Sequence, residues 1–313
     1  MNIVFNINTL GLVGLGATLT SLVRNCSNNK ELALHFLCYD VSNKDKSNIK
    51  TLLKAENFDG DIKFIDFNAK EKFGYMKSLQ GDWTAYGRLL IADYIDSDMA
   101  LYLDADLVVE VDVLSLKYFE FNNHILAAAN PNAVKWMNEY AFFRDKLNWT
   151  SETYYFNSGV LLLNLKKWRS DNVADVWKQL SHLYPNEFKS ADQTLLNAVC
   201  GGNFAYLPGN FNNSWTPSTK KPKVDYDASI IHFVGSPKPW DVFGKQIHYG
   251  YDTWNSYNTP FWRKNYSRIT IEMLYRSWNI RRSLLKHLKN KFSGKTAQDK
   301  NNINNDSPII IKR

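Results

Sequence analysis

Cysteine is scarce in this chain: Cys26, Cys38 and Cys200 are three in 313 residues, widely spaced and odd in number. They form neither a metal-binding pair nor a disulfide framework, which suits a reducing compartment. Long apolar runs are lacking as well. Leu10 to Val23 is interrupted by Gly11, Gly14, Gly16, Thr18 and Thr20, and no basic region precedes it; the expectation is neither a signal peptide nor a spanning helix. Positive charge is thin outside one segment. Residues 263–295 hold ten Lys/Arg against one acid, Glu272, whereas residues 1–262 hold 25 basic and 28 acidic side chains. The net charge of +7 therefore belongs to the segment, and nucleic-acid binding by the body is not indicated. There is no internal repeat.

What is abundant is an ordinary globular interior and a generous aromatic complement, with ten Trp and seventeen Tyr. The length allows one large α/β domain. Asn2 to Asn8 reads as a first strand, and the glycines that follow suggest a tight turn into a helix. Their order, G-x-x-G-x-G without a Lys, fits neither the dinucleotide fingerprint nor a P-loop. Strands are expected at Leu32–Tyr39, Ile62–Phe67, Met99–Leu103, His124–Ala129, Val160–Leu163 and Ala228–Val234. Helices are expected at Asn43–Lys54, Thr84–Ile95, Val173–Leu183 and Asp192–Val199, the last with Ser190 as its cap. Strand alternating with helix predicts a mostly parallel sheet, whose ligands gather beyond the carboxyl ends of the strands. Asn8, Asp40 and Asp104 lie at those ends. Over Arg268–Phe292 a single basic amphipathic helix is expected, with Leu274, Trp278, Leu285, Leu288 and Phe292 on one face, of the kind that lies on anionic membranes; the plainer reading is a helix packed on the domain with a solvated basic side. Residues 296–313 are Asn- and Lys-rich and read as a disordered tail. The resulting division is 1–262, 263–295 and 296–313.

The chemistry concentrates at Leu101-Tyr102-Leu103-Asp104-Ala105-Asp106. In an extended strand, residues two apart face the same way, so Asp104 and Asp106 are expected to project together. Like charges on one face raise each other's cost of ionisation, and a divalent cation removes that cost. Hard oxygen ligands suit Mg²⁺ or Mn²⁺ bridging to a substrate phosphate. An Asp-rich surface turn is the plainer reading. His232 offers a nitrogen ligand that tilts the choice toward Mn²⁺, although a histidine in such an apolar strand also reads as a core residue. Lys238, between Pro237 and Pro239, is a fixed cation suited to a diphosphate. Asn157, Asp192 and Gln193 stand at element starts, where caps are the ordinary explanation.

Taken in order, these stretches resemble glycosyltransferase family 8, the retaining GT-A enzymes that include bacterial lipopolysaccharide galactosyl- and glucosyltransferases. The resemblance covers residues 1 to about 290. It is carried by Met1–Phe5, Thr84–Leu89, Leu101–Asp106, Tyr155–Trp168, Asp192–Asn197 and His232–Trp240. It implies a GT-A sheet flanked by helices, with Mn²⁺ (or Mg²⁺) on Asp104, Asp106 and His232. It implies a UDP-sugar donor contacted by Asn8, Arg88, Ala105, Asn130, Gly235 and Lys238, and Asn157, Asp192 and Gln193 lining the transferred sugar. It also implies a saccharide acceptor and a cytoplasmic enzyme held on the inner face of a bacterial plasma membrane by its basic helix. Two places depart from the family pattern. Asn8 and Gly11 stand where an Asp and a Tyr commonly meet the base, and Asn130 stands where an acid often meets the sugar hydroxyls. A sugar-1-phosphate nucleotidyltransferase would need a basic, Gly-rich first loop, which is missing. A non-catalytic binder of the same fold is the alternative outside enzymology.

Overall fold

The structure, a computed structural model, describes residues 1–218, 224, 226–267 and 271–292. Its strands are β1 (Asn2–Ile7), β2 (Ala33–Cys38), β3 (Asp61–Asp66), β4 (Met99–Leu103), β5 (Leu107–Val109) and β6 (Leu126–Ala128). They continue with β7 (Asn132–Ala133), β8 (Tyr154–Tyr155), β9 (Val160–Asn164), β10 (Ala205–Tyr206), β11 (Asn213–Trp215) and β12 (Ile230–Phe233). Seven of them form one sheet in the order β10-β6-β9-β4-β1-β2-β3. All neighbours are parallel except β9, which runs antiparallel to both β4 and β6. The sheet is thus mixed and mostly parallel, as its apolar strands suggested.

Helices cover both faces. Ile3, Phe5 and Ile7 pack on one side with Leu15, Leu19 and Leu22 of the helix Leu12–Asn25, while Val4 packs on the other with Tyr86, Leu89 and Tyr102. The early glycines do not make a phosphate loop. Gly14 and Gly16 lie inside that helix, where an added Cβ would fall 2.5 Å from the Ala105 carbonyl oxygen and 2.1 Å from the Trp262 ring, respectively. They let the helix approach the Asp104–Asp106 stretch and admit the indole of Trp262, which is fully buried and donates to the Leu12 carbonyl at 2.7 Å.

Beyond β4 the chain does not stay extended. It bends at Ala105 and Asp106 and enters a second, three-stranded sheet, β11-β12-β5. The free edge of β5 is completed by side chains of the first helix: Thr18 accepts from the Leu107 amide and donates to its carbonyl, and Ser21 accepts from the Val109 amide. These buried hydroxyls stand in for a strand, which answers the backbone's need for partners.

Three local expectations change. Thr84–Leu90 is a 3-10 helix that turns α-helical only at Ile91–Tyr94. Ser190 does not cap the helix Asp192–Cys200, which Ala191 precedes without a side-chain cap; the Ser190 amide instead donates to Thr194 Oγ1 at 3.1 Å. The C-terminal segment is two helices, Ile271–Asn279 and Arg281–Phe292, broken at Ile280. The break lets Ile280 and Leu284 bury against Ile247, with Leu288 beside them. The expected tail 296–313 lies outside the described residues. No described helix is long and apolar enough to cross a membrane.

Candidate active site

Strand pairing assembles the site. Antiparallel pairing of β12 on β5 sets His232 opposite Leu107, one residue beyond Asp106. Two backbone bonds fix the bend: the Asp104 amide donates to Gly159 O at 2.9 Å and the Phe233 amide to Asp106 O at 3.1 Å. Asp104 and Asp106 therefore converge because the chain turns between sheets, not because a strand alternates. Nε2 of His232 lies 3.4 Å from Asp106 Oδ1 and 3.9 Å from Asp104 Oδ2. One ligand atom from each of the three residues lies within 4.8 Å of the others. A Cβ at Gly159 would stand 2.2 Å from His232 Cε1, so the imidazole needs glycine there.

The donor set fits a small divalent cation. Asp106 Oδ1 is buried without a hydrogen-bond partner among the described residues, an orphan that an ion would satisfy. Nδ1 of His232 faces Asn212 Oδ1 at 3.0 Å. With the proton on Nδ1, Nε2 presents a lone pair toward the carboxylates. Two oxygens and one nitrogen of this kind suit Mn²⁺ or Mg²⁺.

Cations ring the acids. Lys238 Nζ pairs with Asp106 Oδ2 at 2.6 Å and also donates to the Phe233 carbonyl. Burial alone would raise Asp106, but Lys238 outweighs it and holds the carboxyl well below the usual range. Arg88 is not free at the surface. It is buried over the Tyr102 ring, 4.2 Å from its centroid, and spans Asp104 at 3.0 Å and Asp192 at 2.9 Å. It also donates to the Ser158 carbonyl and hydroxyl. Burial opposes its charge, and the two carboxylates overcome that and raise it. Burial pushes Asp192 up to about 6, with Arg88 pulling the other way.

The amides form one connected run. Gln193 Oε1 accepts from Asn157 Nδ2 at 3.0 Å and from the Ser158 amide at 3.1 Å. Asn157 Oδ1 accepts from the Gly159 amide and Asn212 Nδ2, both at 3.0 Å. Asn130, with φ +49°, donates to the Gly209 and Asn212 carbonyls. Asn8 sits at the end of β1, where it accepts from the Gly11 amide and donates to Asp82 Oδ2 at 2.7 Å. Its hydrogen bonding is spent locally, and the Asp82 carboxylate is the charged group beside it. Ala105 lies in the bend, its carbonyl 3.1 Å from the Thr18 hydroxyl. Gly235 takes φ +77° at the start of the Lys238 loop.

Sequence reading missed Ser158, Asn197, Asn212 and Asp82. Asn197 had a signal: four residues after Gln193 it shares that helix face, and it brackets Phe156 by accepting from its amide and donating to its carbonyl, each at 2.9 Å. Asn212 ends a four-residue 3-10 helix, Gly209–Asn212, and Asp82 lies in an isolated bridge to Leu79, with no spacing to betray either.

The sequence model described as glycosyl transferase family 8 matches residues 2–243. The lipopolysaccharide 1,3-galactosyltransferase of Salmonella typhimurium is 25% identical over 264 residues, 78% of this chain and 74% of the relative. The lipopolysaccharide 1,2-glucosyltransferase of Escherichia coli K12 is 28% identical over 258 residues, 77% and 72% of the two chains. Some relatives are longer: the match to glycosyltransferase GlyA of Streptococcus pneumoniae spans 31% of that protein. The crystal structure of the galactosyltransferase LgtC with donor and acceptor sugar analogs shares the fold, with a TM-score of 0.67 at 24% identity over 87% of this chain and 98% of that one.

Proposed function

The chain belongs to glycosyl transferase family 8, and from that membership we propose that it moves a hexose, with retention at the anomeric carbon, from a UDP-sugar to a saccharide acceptor. UDP-glucose and UDP-galactose are the donors proposed, and Mn²⁺ the ion. The observation that carries this reading is the convergence of Asp104, Asp106 and the Nε2 lone pair of His232, with Lys238 beside them. Breaking a sugar–phosphate bond builds negative charge on the leaving diphosphate and positive charge on the sugar. Asp104, Asp106 and His232 would hold a divalent ion, and the chemistry it would supply there is Lewis-acid stabilisation of the leaving diphosphate.

The chain's own residues divide the remaining work. Lys238, on a loop pinned by its amide to Asp241 Oδ2 at 2.7 Å, offers a positioned cation to the phosphates. Arg88 keeps Asp104 and Asp192 oriented. Gln193 is a poor nucleophile here, because both acceptor sites of Oε1 are already taken by Asn157 and Ser158. A front-face transfer, in which departing UDP helps deprotonate the acceptor hydroxyl, fits that saturation better than a covalent adduct.

The acceptor is proposed to be a lipopolysaccharide-type or other cell-surface glycan, met at the cytoplasmic face of the membrane. The helix Ile271–Asn279 and its successor leave Ile271, Leu274, Tyr275, Trp278 and Leu285 exposed among Arg281, Arg282, Lys286 and Lys289. Apolar groups set in basic charge complement an anionic lipid surface.

The test is UDP release from a donor panel of UDP-glucose, UDP-galactose, UDP-N-acetylglucosamine and UDP-N-acetylgalactosamine, with Mn²⁺ and with chelator. Metal-dependent release that rises with saccharide acceptor supports the reading. Binding of donor without release under any metal would make the chain a binding protein.

A further inference from the structure

Glu139 stands outside the reacting centre, in a connecting segment, yet it is only 3% exposed. Among the described residues no ion pair includes it. A buried carboxylate without a counter-ion is costly and needs hydrogen bonds in compensation. Its Oε1 accepts two, from the Tyr155 hydroxyl at 2.8 Å and the Thr194 hydroxyl at 3.0 Å. Burial first, and then the Glu139 charge, holds the Tyr155 phenol well above its ordinary range. Tyr155 therefore keeps its single proton and gives it to Glu139.

That leaves the Tyr155 oxygen as an acceptor only, and Gln193 Nε2 donates to it at 3.1 Å. The Gln193 amide can then point one way. Its oxygen must face the Asn157 amide and the Ser158 N–H, and Asn157 must turn its own oxygen to Asn212 Nδ2. Asn212 in turn presents its oxygen to His232 Nδ1. Every amide in the run donates toward Glu139 and accepts from the His232 side. Networks of this kind hold a single arrangement when every member is satisfied.

We propose that Glu139 is a positioning residue for the transfer, acting through Tyr155 to fix the amide of Gln193 against the sugar. The proposal rests on the glycosyl-transfer reading above and names a residue that reading does not use.

Two variants break the link without emptying the core. Tyr155→Phe removes the acceptor but keeps the ring, whose edge meets Phe143; Glu139→Met keeps volume but removes the anchor. Each should lower kcat about 10- to 100-fold, the scale for losing an outer partner of a working group, with the donor KM held within about twofold. The double variant should be no slower than the slower single one. Glu139→Gln, which retains an acceptor oxygen for Tyr155, should recover most of the loss. Crystals of the metal-free variants should show Gln193 displaced from Asn157. Unchanged kcat in both single variants, losses that multiply in the double one, or an unmoved Gln193 would overturn the proposal. Wild-type protein that releases no UDP from any donor would count against the transfer reading instead, and the crystals would still decide whether Glu139 positions Gln193.

Discussion

At the residue scale the site is a balance of charges that already neutralise one another. Asp106 is held by Lys238 and Asp104 by Arg88, so the acids are paired and aimed before any ligand arrives. Asp106→Asn should lower metal-dependent UDP release by about 10²- to 10³-fold, the range for removing one preorganised charge-stabilising contact, while circular dichroism stays that of the parent. A variant within threefold of wild type would remove Asp106 from the chemistry. The pair Asp104 and Asp106 was legible in the sequence because two carboxylates break an apolar run. The burial of Arg88 was not, since nothing in Tyr86-Gly87-Arg88 says that the guanidinium turns inward onto Tyr102 and two acids. Asn8 was misleading for the converse reason: its position at the strand end was readable, but not that Gly11 and Asp82 use up its amide.

At the element scale, β1, β2, β3, β4, β6, β9 and β12 were legible because each is a largely apolar run between polar turns, whereas the two- and three-residue strands β7, β8, β10 and β11 were not. The small sheet that carries His232 was not, because β5 has three residues and completes itself with Thr18 and Ser21 from a helix. The C-terminal helices also turned out to be more than a tail. Arg276 makes a two-pronged pair with Asp241 at 2.7 and 2.9 Å, and Ser283 donates to the Ser236 carbonyl at 2.6 Å. Asp241 also accepts the Lys238 amide, so these helices brace the Lys238 loop. Arg276→Ala should raise the donor KM several-fold with kcat little changed, measured by initial rates of UDP release; an unchanged KM would mean the brace does not reach the donor. Trp262 is a second strut. Trp262→Ala should cost about 3–5 kcal/mol, read as a shift in the denaturant midpoint, because its cavity lies between the first helix and the helix Pro260–Tyr266.

At the scale of the whole molecule, stability should depend on pH with a readable sign. Burial, assisted by Lys238 and His287 and opposed by Asp241, pushes His248 down to about 4. The unfolded chain takes up this proton near pH 6.5 and the folded one only near 4, so stability is lost as pH falls between them, by up to about 3 kcal/mol. His248→Gln should flatten that part of the curve, measured by urea unfolding at a series of pH values. His35, also lowered by burial, keeps some slope. Asp192 works oppositely: raised to about 6, it contributes stability that is lost as pH rises from about 4 through 6. A His248→Gln curve identical to wild type would contradict the assignment. The charge division of the molecule, a slightly acidic body and a basic C-terminal segment, was legible from composition alone. How that segment folds was not, because the break at Ile280 depends on a partner, Ile247, far away in sequence. Anionic vesicles should retain the protein and neutral ones should not, and Trp278→Ser with Leu285→Ser should weaken retention; equal retention by both vesicles would argue against the proposed surface.

The account depends most on one ion among three side chains. A crystal grown with Mn²⁺ and UDP, with anomalous data collected at the manganese edge, tests it directly. The prediction is a single anomalous peak within bonding distance of Asp104, Asp106 and His232 Nε2, with the diphosphate completing its ligands. A peak elsewhere, or UDP bound with no ion between those residues, would contradict it.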